Sequence, residues 1–238
     1  MSTAAIRVEQ IDALTAFDTP TIANAMESLR ITARCWMGPR IRTLSGGGPI
    51  AGIAVTATMK EQWGGRYAHL EPWLRFLEEI EATPLPCIAI FHDESAEPGR
   101  TAMIGEGMSR LMRIAGAAGV ICDGAIRDVP ALRSLDLAVW GSGVVADRGN
   151  IRFHRYQVAV EIEGMPVTPG DLIHADENGA VVVPIDRVAE VAAAAAEVQA
   201  KEARLFGMFA EEDFRIAKLY DHYAEALQAA RQERGGEF

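Results

Sequence analysis

The sequence contains few cysteines and no long hydrophobic run. Its three cysteines, Cys35, Cys87 and Cys122, are widely separated and match no metal-binding or redox spacing. They indicate reduced thiols rather than a disulfide framework or a zinc site. No run approaches the roughly 18 apolar residues of a transmembrane helix, and residues 1–7 lack the apolar core of a signal peptide. We therefore expect a cytoplasmic protein that does not bind a membrane.

Basic residues are also scarce relative to acidic ones. The chain has 23 Lys and Arg against 33 Asp and Glu, which gives a formal net charge of −10 and a pI near 5.0. A nucleic-acid surface needs clustered Lys and Arg, so this balance excludes nucleic acid as the expected partner. A small anionic ligand would then need local positive charge, from a metal ion or from particular arginines.

Residues 103–140 predict a crossover unit of helix, strand, turn, helix and strand. One face of the first helix is indicated by apolar residues at offsets of zero, three, four and seven, namely Met108, Leu111, Met112 and Ala115. We predict that this helix spans 108–118. A buried parallel strand follows at 120–122, and the next strand lies at 137–140.

Polar side chains follow the first of these strands. Asp128, with Pro130 in the first helical turn, predicts a cap and a second helix that runs to Leu135. In open α/β sheets, ligands bind beyond the carboxyl ends of the strands. Asp123 and Arg127 lie there as well, so this turn is the candidate site.

A glycine-containing tetrad, Gly105, Glu106, Gly107 and Met108, opens the first helix. Small residues at a helix start let a ligand approach unpaired backbone N–H groups and the positive end of the helix dipole. The tetrad is therefore a candidate carboxylate cradle.

The rest of the chain predicts further helices and strands. We predict helices at 12–17, 19–29 (capped by Thr19), 72–80 and 185–206. We predict strands at 53–57 (half buried), 87–91, 156–162 and 180–183. Several β elements between helices suggest a layered α/β/β/α sandwich. The simplest organisation is one α/β domain over 1–206 and a C-terminal helical extension over 207–238.

Charged residues crowd the end of the predicted strand at 87–91, where His92, Asp93, Glu94 and Glu97 follow one another closely. A metal site is one interpretation of His92 and Asp93. Adjacent residues at a strand end point to opposite faces, however, so we expect a solvated loop.

The spacing of the tetrad and the turn resembles the RraA-like family. Gly105 precedes the Arg-Asp pair of GVICDGAIRD by 22 residues (127 minus 105), and the resemblance resumes at 167–171 and 176–184 and, more weakly, at 19–26. The family implies an α/β/β/α fold like the phosphohistidine swivelling domain. It includes metal-dependent aldolases for 4-hydroxy-4-methyl-2-oxoglutarate and 4-carboxy-4-hydroxy-2-oxoadipate, and regulators of ribonuclease E activity. Residues 63–99 depart from its pattern.

The resemblance implies roles for the residues of the turn. Asp128 would be the direct ligand of Mg²⁺ or Mn²⁺, hard cations that prefer oxygen and keep several waters. Arg127 would bind the substrate carboxylate or the developing enolate oxygen, and Asp123 would orient Arg127 or a metal water. Considered without the motif, Asp128 is a helix cap and Arg127 a surface arginine.

The resemblance also implies roles for the tetrad and for one distant acid. Gly105, Glu106, Gly107 and Met108 would bind substrate through backbone N–H groups, with Glu106 directed at a water or the substrate hydroxyl. Considered alone, Glu106 is a first-turn glutamate that interacts with the helix dipole. Glu202 would be an acid supplied by a neighbouring subunit, and its alternative is a solvated helix residue.

These roles together predict a divalent-metal-dependent aldolase that cleaves a 4-hydroxy-2-oxo acid to pyruvate through an enolate, with oxaloacetate decarboxylase activity. Two alternatives remain: a non-catalytic regulator that binds an RNA-processing protein, and a related metal-dependent enzyme for another hydroxy or oxo acid. The family further implies a homotrimer or hexamer with sites at subunit boundaries.

Overall fold

The computed structural model describes residues 6–31, 35–62 and 70–233. Most of the N-terminal stretch considered for a signal peptide, residues 63–69 of the atypical segment and the last five residues of the extension lie outside the described residues. Over the described ranges, no helix is long and apolar enough to span a membrane. The chain divides into two compact units, Met1–Ala196 and Glu197–Phe238.

The helices and strands account for most of the described chain. The α-helices are α1 (Val8–Asp12), α2 (Thr19–Ser28), α3 (Leu70–Ala82), α4 (Glu106–Ala115), α5 (Val129–Leu132), α6 (Val188–Phe209), α7 (Lys218–His222) and α8 (Ala224–Glu233). The strands are β1 (Arg42–Ser45), β2 (Ile50–Glu61), β3 (Cys87–Asp93), β4 (Ala102–Ile104), β5 (Ala117–Cys122), β6 (Ala125–Ile126), β7 (Ala138–Gly141), β8 (Ile151–Tyr156), β9 (Val160–Ile162), β10 (Met165–Val167), β11 (Leu172–Asp176) and β12 (Gly179–Val183). Short 3₁₀ turns lie at Ala13–Ala16 and Ile185–Arg187.

A mixed sheet forms the centre of the first unit. Its strand order is β1-β7-β5-β3-β2-β11-β12, and β8 pairs with the far half of β2. The strands β2, β3, β5 and β7 are parallel to one another. Helices α3, α4 and α5 lie in the connections between them, as parallel strands require. The predicted crossover unit is thus confirmed.

Hydrophobic residues cover both faces of this sheet. On one face Phe76 of α3, Met112 of α4 and Leu132 of α5 pack against alternate residues of the parallel strands. On the other face the β9–β10 hairpin packs against the remaining alternate residues, including Ile90 and Trp140. The predicted layered α/β fold is confirmed.

The burial of β2 differs from the sequence prediction. We predicted a half-buried strand from alternation at 53–57, but Ala54, Val55 and Ala57 are almost fully buried. Both faces of β2 are covered, because helices lie on one side of the sheet and the hairpin on the other. Small residues of β2 that we expected to face solvent, such as Ala54, therefore pack in the second hydrophobic cluster.

The cap of α2 is Asp18 rather than the predicted Thr19. The Asp18 carboxylate accepts a hydrogen bond from the Thr21 N–H at 2.9 Å. Thr19 has other partners, because its N–H donates to Asp176 at 2.8 Å and its hydroxyl lies 3.0 Å from Nδ1 of His174. Thr19 thereby ties the start of α2 to β11.

Two predicted boundaries near the candidate site are wrong. The first helix ends at Ala115, since Gly116 adopts φ +107° and terminates it, so β5 begins at Ala117 rather than at 120. Leu111, assigned to the buried face, is 43% exposed. The second helix, predicted to reach Leu135, is only the four residues of α5.

The alternation at 156–162 spans two strands instead of one. Gln157 takes a positive φ of 50° and ends β8, and β9 then pairs with β10 in a separate sheet. Alternation alone could not reveal this change of sheet, because it persists across the turn.

Candidate active site

A two-stranded parallel sheet brings the tetrad and the Arg-Asp pair together. β4 pairs with β6, with Ala102 opposite Ala125 and Ile104 opposite Ile126. The Arg127 N–H extends this ladder by donating to the Ile104 carbonyl at 3.0 Å. The 22-residue spacing seen in the sequence therefore corresponds to direct contact between two strand ends.

Asp128 adopts an unusual backbone conformation. Its φ and ψ of 62° and 28° lie in the left-handed region, which residues other than glycine seldom adopt. Its side chain makes no capping hydrogen bond to α5. Instead, Oδ2 accepts from the Glu106 N–H at 3.1 Å and lies 3.3 Å from Nε of Arg127. Asp128 thus occupies the predicted N-cap position of α5, where its carbonyl accepts from the Leu132 N–H at 3.1 Å, but its side chain is directed at the tetrad.

Gly105 has no room for a side chain. A Cβ at this position would lie 2.7 Å from Oδ2 of Asp128 and 3.0 Å from Nε of Arg127. By contrast, a Cβ at Gly107 would have no neighbour within 4 Å among the described residues. Glycine is therefore needed at 105 for close packing against the Arg-Asp pair, whereas Gly107 leaves open space at the helix start.

Some of the first backbone N–H groups of α4 are available to bind a ligand. Such groups have no acceptor within their own helix. That of Glu106 donates to Asp128, which leaves those of Gly107 and Met108 for a ligand. The Glu106 side chain lies toward Arg110, with Oε1 at 2.8 Å from Nε and 2.7 Å from Nη2. Its predicted role toward water or substrate stays a prediction.

Asp123 contacts strand β3 rather than Arg127. Its Oδ2 lies 2.5 Å from Nδ1 of His92, and its Oδ1 accepts from the Asp93 N–H at 2.7 Å. These two contacts tie the start of the turn to β3. Among the described residues, Asp123 makes no hydrogen bond to Arg127, so the structure shows no direct contact through which Asp123 would orient that arginine.

The charged residues at the end of β3 include one that is buried and hydrogen-bonded, whereas we predicted a solvated loop. Asp93 is only 3% exposed, and its carboxylate accepts from the N–H groups of Ser95 at 2.9 Å and Gly99 at 2.8 Å. The hydrogen bond to Asp123 raises the pKa of His92, and together with the smaller effects of the charges on Asp123, Glu94 and Asp93 it outweighs the opposing effect of burial. No group of three or more His, Cys, Asp or Glu in the described ranges forms a metal-binding cluster.

A cleft of about 950 Å³ lies beside the tetrad and Arg127. Gly105, Gly107, Met108 and Arg127 line it. So does the segment 147–153, which includes the start of β8. The apolar side chains of Trp73, Met103 and Phe153 line it as well. A pocket of this size is in the range of small-molecule sites.

Two arginines in this cleft were missed by sequence reasoning. Arg148 and Arg152 line it together with Arg127, against the acids Glu61 and Asp147. The cleft is therefore lined by three arginines in a chain whose net charge is −10, and Arg127 among them lies 3.3 Å from the Asp128 carboxylate. The polar turn at 147–150 could have drawn attention to this segment. The local sequence does not show, however, that the segment lies beside the tetrad.

The donor set around Asp128 fits a hard divalent cation that keeps several waters. Oδ2 is engaged by Glu106 and Arg127, whereas Oδ1 has no hydrogen bond to the described residues. The carboxylate is 37% exposed, so water can complete a coordination shell. Mg²⁺ commonly uses one or two carboxylates together with waters and substrate oxygens. Asp128 would supply the single protein ligand.

Glu202, the acid predicted to act from a neighbouring subunit, lies in α6 and is partly buried. It belongs to the second compact unit. Its role toward a site in another subunit stays a prediction.

Known proteins resemble parts of this chain. Protein DlpA of Legionella pneumophila is 35% identical over 89 residues, which are 37% of this chain and 14% of that protein. A Halalkalibacterium halodurans protein named "Putative 4-hydroxy-4-methyl-2-oxoglutarate aldolase" is 34% identical over 110 residues, 44% of this chain and 49% of its own length. The matches thus cover about half or less of these curated relatives.

Solved structures extend the similarity over most of the chain. The crystal structure of Streptomyces coelicolor RraAS2, described as an unusual member of the RNase ES inhibitor RraA protein family, superposes with a TM-score of 0.68. It is 25% identical and covers 84% of this chain and 96% of its own. The family model RraA-like, described as Aldolase/RraA, matches residues 19–182. That range is more than half of the 238 residues, and the chain belongs to the RraA-like family.

Proposed function

We propose that this protein is a divalent-metal-dependent lyase that cleaves a 4-hydroxy-2-oxo acid to pyruvate, and that it also decarboxylates oxaloacetate. One observation carries the proposal. Asp128 adopts a left-handed backbone conformation and directs its carboxylate at the tetrad, beside Arg127, rather than capping α5. Backbone strain of this kind is concentrated at functional sites. The name of the Halalkalibacterium relative supports the substrate class.

The chain's own residues would bind and orient the substrate. The free N–H groups of Gly107 and Met108, at the positive end of α4, donate hydrogen bonds to the carboxylate of the 2-oxo acid. Arg127 donates to the 2-oxo oxygen and stabilises the negative charge that develops there as the carbon–carbon bond breaks. When bound at Asp128, Mg²⁺ or Mn²⁺ would act as a Lewis acid on the same oxygen.

Glu106 is the tetrad side chain that can accept a proton. Its carboxylate is 39% exposed and is paired with Arg110. In the retro-aldol step it takes the C4 hydroxyl proton, directly or through a water, as the C3–C4 bond breaks. The bonding pair moves to C3 and forms the enolate of pyruvate, which a proton then converts to pyruvate. Decarboxylation of oxaloacetate gives the same enolate with loss of CO₂.

A coupled assay tests this proposal. Pyruvate release would be followed with lactate dehydrogenase on 4-hydroxy-4-methyl-2-oxoglutarate, 4-carboxy-4-hydroxy-2-oxoadipate and oxaloacetate, with Mg²⁺, Mn²⁺ or EDTA. We expect metal-dependent turnover that Asp128→Asn abolishes, because asparagine tolerates the left-handed conformation but removes the charge. Asp136→Asn is the matched control, since Asp136 is exposed and pairs with Arg113. Absence of turnover on all three acids by folded protein would refute the proposal.

A second candidate is a regulator that binds an RNA-processing protein. The similarity to Streptomyces RraAS2, whose description names an RNase ES inhibitor family, favours it. A regulator would bind a ribonuclease of the E type without metal, and Asp128→Asn would leave that binding intact. Measured binding of a purified ribonuclease, combined with absent turnover, would select this function over the lyase.

A further inference from the structure

The N-terminal segment Val8–Ser28, which comprises α1, a 3₁₀ turn and α2, packs on the strands β2, β11 and β12. It contributes four apolar side chains to the protein interior. Ile11, Leu14 and Ile22 are fully buried, and Met26 is 2% exposed. Release of this segment from the sheet would therefore transfer these side chains to water.

His174 of β11 is fully buried and contacts this segment through both ring nitrogens. Its Nε2 lies 3.2 Å from the Leu14 carbonyl, and its Nδ1 lies 3.0 Å from the Thr19 hydroxyl. A carbonyl oxygen can only accept a hydrogen bond, so Nε2 carries the proton, and Nδ1 accepts from the Thr19 hydroxyl. The neutral ring thus satisfies both contacts.

The surroundings of His174 determine how readily it takes a second proton. Burial lowers the pKa of His174 below the ordinary 6.5. The charged groups that act on the ring are the carboxylates of Asp176, on the same strand, and Asp18, at the N-cap of α2, and they oppose this effect only in part. On the neighbouring strands β2 and β12, the residues opposite His174 are Ala51 and Val181, which carry no charge.

We propose that His174 is a proton-sensitive latch, which holds the N-terminal segment on the sheet while the ring is neutral and releases it when the ring is protonated. A second proton would place a charge in the interior, and the Thr19 hydroxyl could no longer donate to Nδ1. Opening of the segment lets the charged ring reach water. Because the closed form prefers the neutral ring, the latch is fully effective above pH 6.5 and weakens as pH falls below this value.

Hydrogen–deuterium exchange of the full chain, followed by mass spectrometry of its peptides, tests this inference. Exchange rates, corrected for the intrinsic effect of pH, give the population of locally open forms. One titrating group can raise the open population by at most about 10-fold per pH unit. Between about pH 7 and about pH 5.5 we expect a rise of roughly 3- to 10-fold for peptides within 8–28, and none for peptides of β3 and β5.

Three variants assign the effect to the latch. His174→Gln keeps an N–H donor for the Leu14 carbonyl but does not titrate, so the pH dependence should disappear. Thr19→Val removes the hydroxyl and keeps the N–H that donates to Asp176, so the segment should open more often at both pH values. Thr15→Val is the matched control, because the Thr15 hydroxyl donates within the segment, to the Asp12 carbonyl, and this variant should behave as the wild type.

The same measurements can overturn the inference. An equal rise in the wild type and His174→Gln would assign the pH dependence to another group. An equal rise in all peptides would show that protonation unfolds the first unit as a whole instead of releasing the segment. If His174→Gln does not fold, Thr19→Val decides, since opening of 8–28 at the wild-type level in this variant would show that the contact with His174 does not hold the segment.

Discussion

At the residue scale, the tetrad and the Arg-Asp pair could be chosen as candidates from the sequence, because each motif is contiguous and their spacing resembles that of a known family; their roles stay predictions. The structure adds how they meet, through Gly105 packed against Asp128 and Arg127. Arg148 could not be assigned to the cleft, since its position there depends on the path of the chain into β8. The contact of Asp123 with His92 could not be predicted either, because it depends on the register of β3 against β5, and the role of Asp123 toward a metal water stays a prediction.

Gly105→Ala should reduce turnover strongly with little loss of stability. The added Cβ would lie 2.7 Å from Oδ2 of Asp128, so the carboxylate must shift away from the tetrad. Displacement of a catalytic group by about 1 Å can cost on the order of 100-fold in rate. Steady-state kinetics and thermal unfolding would measure both effects. Gly48→Ala, where a Cβ meets nothing within 4 Å in the described structure, is the control; equal kinetics of the two variants would contradict the expectation.

The His92–Asp123 pair should make stability depend on pH. Its hydrogen bond raises the pKa of His92 above the ordinary 6.5, so the folded state holds the proton to higher pH than the unfolded chain. The stabilisation is therefore fully present below pH 6.5 and disappears as pH rises through the raised pKa of the folded state.

Urea unfolding of the wild type and His92→Gln, from about pH 6 to about pH 9, measures this contribution. The free-energy difference between the two proteins should shrink as pH rises. His222→Gln, a change at the end of α7 in the second unit, should leave the profile unaltered. A difference that is constant with pH would show that His92 acts through packing alone.

At the scale of elements, the helices and strands of the crossover unit were predictable, but several of their ends were not. The strands β1, β4, β6, β10 and β11 had no counterpart among the predicted strands. Periodicity identifies an amphipathic face over many residues, whereas an end depends on a single backbone conformation. Gly116 ends α4 through φ +107°, and Asp128 in the left-handed region precedes the short α5. The burial of β2 on both faces was likewise hidden, because it depends on a hairpin distant in sequence.

The cap of α2 gives a prediction for one element. Asp18→Ala removes the acceptor for the Thr21 N–H and should lower the free energy of unfolding by about 1 kcal/mol. Asp18→Ser keeps an acceptor at the same position and should recover most of the loss. Urea titrations of the three proteins would test this; similar losses for alanine and serine would show that Asp18 does not act as a cap.

At the scale of the whole molecule, the second unit exposes much of its apolar surface. In its described part, 197–233, the side chains that are described include none that is buried. Its exposed large apolar residues are Phe206, Phe209, Ile216, Tyr220, Tyr223 and Leu227. A helical segment of this length cannot build an adequate core alone, and exposed apolar patches of this kind favour association.

The expected homotrimer or hexamer can be measured by light scattering on a size-exclusion column. The particle mass should be three or six times the 25.7 kDa of one chain. A monomeric mass at micromolar concentration would contradict the expectation, and would also exclude Glu202 as an acid supplied by a neighbour.

Mixed oligomers test the role of Glu202 directly. If one subunit supplies Asp128 and the next supplies Glu202, then Asp128→Asn and Glu202→Gln chains are each inactive alone. Denaturing and refolding them together should restore part of the turnover, because some sites then contain both wild-type residues. Refolding each variant separately is the control, and absence of recovery in confirmed mixed oligomers would remove Glu202 from the site.

The exposure of the Arg-Asp pair has an evolutionary consequence. The side chains of Arg127 and Asp128 are 34% and 37% exposed, and neither belongs to the two hydrophobic clusters that hold the sheet. Selection for folding therefore acts weakly on them, and a lineage can lose the chemistry in one substitution while its outer surface persists. After gene duplication, one copy of the protein could thus lose catalysis and keep a binding function, and every intermediate in this change would still fold.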